Sequence, residues 1–102
     1  MLFLLEVDID YDRIGGRLPE LRAAEHAHVR QLIADGVVVV EWLKADRRGI
    51  VAVWDCPSRA QLDAAIAQVP MAPFLSRVEV TPLAEHPLFP GGRPPLPRAS
   101  GT

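Results

Sequence analysis

Residues 18–35 read LPELRAAEHAHVRQLIAD, and the rest of the chain takes its place around them. Leu18, Leu21, Val29, Leu32 and Ile33 recur at helical spacing. Pro19 suits a first turn, where its missing N–H costs nothing, and Gly36 stands where a left-handed C-cap is wanted. At about 100° per residue, Leu18, Leu21, Val29 and Leu32 fall within roughly 40° of the direction of Glu25. An acid therefore sits in the middle of the apolar stripe, with His28 close beside it. Burying an unpaired carboxylate is costly, so such a residue is paired, protonated or functional. Two readings stand open: a core-edge glutamate satisfied by an arginine or by His28, and an active-site acid.

Upstream, residues 2–10 (LFLLEVDID) alternate with period two. Phe3, Leu5, Val7 and Ile9 make one apolar face, and Leu2, Leu4, Glu6 and Asp8 a mixed one, as in a central strand. Glu6 either lines a cavity or is a solvated or interface carboxylate. Residues 11–17, with Gly15 and Gly16, read as a loop into the helix. Downstream, VVVVEWLK (37–44) and GIVAVWD (49–55) flank a turn at ADRR (45–48), a hairpin favoured by its β-branched residues. Trp42 and Trp54 are large amphipathic rings that serve as a pocket wall or as core and subunit packing. Ser58 with Gln61 predicts a capping box for a second helix, whose stripe is Leu62, Ala65, Ile66 and Val69. Pro70 closes that helix, and RVEVT (77–81) alternates as a last strand.

The order is then β-α-β-β-α-β in an α+β chain. That is the ferredoxin-like split βαβ arrangement, an antiparallel sheet with two helices on one face. From Pro82 on, prolines at 82, 87, 90, 94, 95 and 97 are not expected in a ladder or helix interior. Leu83, Leu88 and Phe89 give the start of this segment something to bury, and a neighbouring subunit is the obvious place. The expected division is a domain with its arm over residues 1–88 and a flexible Pro/Gly-rich tail over 89–102.

Composition narrows the function. One domain is the natural count for 102 residues. A net charge of −2 carries no basic excess for nucleic acid, and no apolar run approaches the roughly 18 residues of a membrane span. Glu6 and Asp8 directly follow the apolar start and no basic region precedes it, so no signal peptide is expected. Cys56 is the sole cysteine, and His26, His28 and His86 have no metal-ligand spacing. These features predict a cytoplasmic chain without metal or cofactor.

Several segments together resemble the muconolactone Δ-isomerase family, small enzymes of aromatic-compound degradation. The opening MLFLLEVDI is similar to its first strand. Leu21-Arg22-Ala23-Ala24-Glu25 resembles its Leu-Lys-Ala-x-Glu, and Gly36 and Trp42 fall on its Gly and on the Trp of its Leu-Trp-Arg. Trp54-Asp55-Cys56-Pro57-Ser58 matches Phe-Asp-Val-x-Ser, and Val69 to Phe74 matches Leu-Pro-Leu-Phe-Pro-Tyr. Val80 to Pro87 fits Val-Thr-Pro-Leu-x-x-His-Pro at every specified place. The chain departs where the family has Arg after the tryptophan, here Leu43, and Asn in the third strand, here Ile50. The family's helix lysine is Arg22, which keeps charge but cannot shuttle a proton.

This resemblance implies a dimeric α+β barrel and cofactor-free proton transfer on a small lactone or enol-like, polyketide-derived substrate. Glu25 would act as base. His28 as a partner acid or orienter is an inference from helix spacing, since the family seldom has histidine there. Arg22, Trp42, Trp54 and Glu6 are the candidate substrate-binding residues, and a homodimer or larger ring the expected assembly. Two other readings of the same fold remain: a cofactor-independent monooxygenase or cyclase, and a non-catalytic ligand-binding or assembly protein.

Overall fold

A computed structural model describes residues 1–92. Strand β1 (Leu2–Ile9) alternates half-buried and buried residues without a break, as its period-two pattern requires. It lies centrally in a four-stranded sheet of order β2-β3-β1-β4, built with β2 (Val38–Leu43), β3 (Gly49–Asp55) and β4 (Leu75–Leu83). Every pairing is antiparallel. Helix α2 (Leu18–Ala34) joins β1 to β2, and α3 (Arg59–Ala67) joins β3 to β4. This is the ferredoxin-like order read from the sequence.

Both long helices cover one face of the sheet. Phe3 and Leu5 of β1, Ala52 and Trp54 of β3, Leu62 of α3 and Val69 are buried in one cluster, and Leu32 of α2 packs against it. Fully burying such an apolar side chain stabilises by roughly 1.5–3 kcal/mol. Ile9, Ile14 and Met71 form a second cluster at the other end. Gly49 must be glycine here: a Cβ would collide with the Val7 carbonyl oxygen of the neighbouring strand.

The helix ends follow their local signals. At the end of α2, Gly36 has φ 77°, Gly36 N–H donates to the Ile33 carbonyl and Val37 N–H to that of Leu32. Those two bonds are a Schellman closure. Ser58 Oγ accepts from Gln61 N–H at 3.2 Å and caps α3. The reciprocal bond from the Gln61 side chain does not form among the described residues, so half of the expected capping box is present.

Three expectations need correction. Residues 11–17 are not an open loop: α1 (Tyr11–Ile14) is followed by a 3-10 turn at Gly15–Arg17. Asp10 starts it by accepting from Arg13 N–H, and Ile14 anchors it in the core. Pro82 does enter a ladder, opposite Phe3, and β4 runs two residues beyond the expected end at either side. It is tolerated because β4 is an edge strand, whose outer side asks for no N–H donor. In the arm, Phe89 bridges back to His86, and a short turn occupies Pro90–Gly92. The rest of the expected tail lies outside the described residues.

Candidate active site

Between α2 and the β2–β3 hairpin lies a cavity of about 540 Å³. Its walls are largely apolar, with Ile9, Val29, Leu43, Ile50 and Met71 among them. A smaller cavity of about 40 Å³ adjoins it, and Ile9, Glu25, Glu41, Ile50 and Met71 line both. Not one residue of α2 is fully buried. Leu18, Leu21, Glu25, Val29 and Leu32 are each half-covered, because the stripe roofs a space instead of sealing onto the sheet.

Glu25 comes down from this roof. Its Oε1 accepts a hydrogen bond from Met71 N–H at 2.9 Å, and no cation pairs with it among the described residues. Burial pushes its carboxyl above the ordinary 4.5, and the Met71 N–H and the nearby His28 and His26 oppose that shift. The crossing segment that supplies Met71 is braced from α1. Arg13 donates to the Pro73 carbonyl at 3.2 Å, and the Arg13 and Arg17 guanidinium groups lie over the Phe74 ring at 5.4 and 5.2 Å.

A second carboxyl group enters from the sheet. Glu41 Oε2 accepts from the Trp54 indole N–H at 2.9 Å. Burial raises its carboxyl too, the indole opposes the shift, and the charge of Glu25 adds to it. Sequence reading missed Glu41 for a definite reason. Strict alternation from the buried Val38 would aim Val40 and Trp42 at the helices and Glu41 away. A β-bulge at Val39 inverts that parity: Val38 pairs with Trp54, but Val40 pairs with Val53 and Glu41 with Ala52. One extra residue thus turns Glu41 inward and Trp42 outward. An acid following four valines was a signal of burial, yet four identical residues carry no alternation from which to read the face.

The other candidates divide. Arg22 and Trp42 line the large cavity, Trp42 at 62 % exposure, in register with Val51 and at the rim. Trp54 is 4 % exposed, packed in the core and lining the small cavity. His28 is near enough to act on the charge of Glu25 but is not on the cavity wall, whereas His26 is. Glu6 lies on the opposite face of the sheet, where Lys44 and Arg77 approach it at 3.6 and 3.8 Å. Arg30 and Arg47, unmarked by sequence reading, join Arg22 in the lining. Leu43 and Ile50 both line the cavity, so the departures from the family pattern fall on its wall. No group of three or more metal-ligating side chains gathers among the described residues.

A family model described as muconolactone delta-isomerase matches residues 1–88. Muconolactone Delta-isomerase 2 of Acinetobacter lwoffii is 33% identical over 88 residues, 84% of this chain and 91% of that protein. Among solved structures, a crystal structure of muconolactone isomerase superposes with a TM-score of 0.74 at 27% identity, over 85% of this chain and 92% of that one. A 5-chloro-2-hydroxyhydroquinone dehydrochlorinase from Burkholderia phenoliruptrix gives a TM-score of 0.65 at 18% identity, over 84% and 96%, which shows a shared fold.

Proposed function

The chain belongs to the muconolactone delta-isomerase family, and from that premise we propose that it is a cofactor-free isomerase. It moves a proton between carbons of a small lactone or enol-like acid bound between α2 and the hairpin. The observation that carries this reading is Glu25: a half-buried carboxyl without a counter-cation, its proton affinity raised by burial, facing an apolar cavity of about 540 Å³. A general base works best with its pKa near the working pH, and desolvation moves a glutamate that way. As base, Glu25 takes a proton from a carbon next to a carbonyl, the electron pair delocalises onto the carbonyl oxygen, and a proton is returned further along the conjugated system.

The substrate is proposed to differ from muconolactone where the wall differs. Leu43 and Ile50 present hydrocarbon where the family carries Arg and Asn, so polar recognition shifts to Arg22, Arg30 and Arg47. Turnover of muconolactone and of less polar lactones, with solvent deuterium exchange at the carbon beside the carbonyl, tests the reading. Exchange that requires Glu25 supports it. Exchange equally fast in Glu25→Gln, or none with any lactone, overturns it.

We propose further that the protein is a homodimer or larger ring working in the cytoplasm. Support comes from the apolar side chains left exposed on the edge strand β2 and on the arm, Leu43 at 57 %, Leu88 at 67 % and Phe89 at 43 %. The lone Cys56 suits a reducing compartment, and no helix among the described residues is long and apolar enough to cross a membrane. Light scattering should give at least twice the 11.2 kDa chain mass; a monomer at micromolar concentration ends this part of the proposal.

A further inference from the structure

Glu41 has no counterpart in the reading above, which needs one base. Yet it lines both cavities together with Glu25. The two residues approach from opposite sides, Glu25 from the helix roof and Glu41 from the sheet. Each accepts one hydrogen bond from a fixed donor, the Met71 amide and the Trp54 indole. Neither is in an ion pair among the described residues, although five other acidic side chains are: Glu6, Asp8, Asp12, Asp63 and Glu79. A bulge is spent on aiming Glu41 inward, where plain alternation would have placed tryptophan.

We infer that Glu41 is a second acid–base residue of this cavity, working opposite Glu25 so that one carboxylate takes a proton from a substrate carbon while the other carboxyl returns one to a different carbon. The first step breaks a C–H bond, leaves its electron pair in the conjugated enolate and protonates Glu25. The second breaks the O–H bond of Glu41, forms the new C–H bond with the enolate's electrons and leaves Glu41 ionised. Proton exchange between the two carboxyls, directly or through water, restores the starting state.

Two carboxylates in one apolar site resist ionising together, which keeps one proton on the pair. Burial raises both, and the charge of Glu25 raises Glu41 further. The other titratable or charged groups facing the pair are Arg22, His26, His28 and Arg30 from α2, Tyr11 from α1 and Arg47 from the hairpin turn. All of the arginines are exposed, which leaves them screened by solvent.

This inference rests on the proton-transfer reading, but the two fail separately. The Trp54 indole donates to Glu41, so its N–H resonance reports the charge on Glu41 in the unaltered protein, assigned with Trp42→Phe. A pair gives two titration steps at Trp54, and in Glu25→Gln a single step at lower pH. One step in the wild type, or a midpoint that Glu25→Gln does not move, overturns the pair whatever the protein catalyses. With muconolactone as probe in deuterium oxide, single-turnover product should carry a solvent deuteron, and Glu41→Gln should lower kcat by about 10²-fold with KM little changed. Transfer of the substrate's own hydrogen into most of the product, or an undiminished kcat in Glu41→Gln, overturns the pair and leaves the isomerase reading standing. No turnover of muconolactone by the wild type counts against the isomerase reading, and the titration then decides the pair.

Discussion

The two faces of the sheet hold the same kind of side chain in opposite states. On the open face, Asp8 receives Lys44 at 2.9 Å and Arg77 at 3.6 Å, and Arg77 also reaches Glu79 at 2.6 Å. The register sets Glu6 directly opposite Glu79, a like-charged pair that Arg77, contacting both, offsets. The hydrogen bond from Lys44 holds the Asp8 carboxyl below its usual 3.8. On the helix-covered face, Glu25 and Glu41 each have one neutral donor, and burial pushes both upward. The difference teaches where acid–base chemistry resides in this fold. Cations and water fix the charge on one face, and their absence leaves a proton in play on the other.

The sharpest way to break this comparison is to remove one titrating group from each face. Glu25→Gln keeps shape and an acceptor, and should lower turnover by about 10³-fold or more, roughly 4 kcal/mol of transition-state stabilisation. Its melting temperature should hold or rise, since an unpaired buried charge is gone. Glu79→Gln on the open face should leave turnover within about twofold, as surface changes away from a site do. A Glu25→Gln protein that melts lower and turns over normally would make Glu25 a structural residue.

Next in size is the bulge. Deleting Val39 should restore plain alternation, turn Trp42 inward and Glu41 outward, and lower turnover by about 10²-fold, the loss expected when a general acid is withdrawn. The Trp54 indole resonance should lose its pH dependence. A deletion variant that keeps this titration would show that something other than the bulge aims Glu41.

The pH dependence of stability should run in opposite directions for the two faces. Glu25 and Glu41 have folded-state pKa values above the unfolded 4.5. Their contribution is complete below that value and is lost as pH rises through the folded values. Asp8 is shifted below 3.8, so its contribution is present above 3.8 and lost as pH falls through the folded value. Melting curves across pH should therefore flatten on the alkaline side in Glu25→Gln/Glu41→Gln and on the acid side in Asp8→Asn. The same slope change in both variants would erase the distinction.

Smallest is the effect of salt. Near 1 M the screening length is about 3 Å, so the open-face network should weaken while the inner carboxyls keep their titration. Lys44→Met should cost little in melting temperature, and less again in salt. An equal loss at high and low salt would mean that Lys44 acts through packing.

Much of this was legible in the residues. The alternation of Phe3, Leu5, Val7 and Ile9, the Gly36 closure and the Ser58 cap are local signals, and each formed as its own chemistry requires. Glu25 was visible because its direction on α2 follows from counting residues along a rigid helix. Tertiary structure alone decided the rest. Whether Glu41 or Trp42 looks inward depends on one unpaired valine, set by how β2 pairs with β3. Glu6 finds Lys44 and Arg77 on strands far off in sequence, and α2 roofs a cavity because Met71 and Phe74, braced by α1, meet it from below. A helix fixes the direction of every side chain along itself; a strand does so only once its partner has set the register.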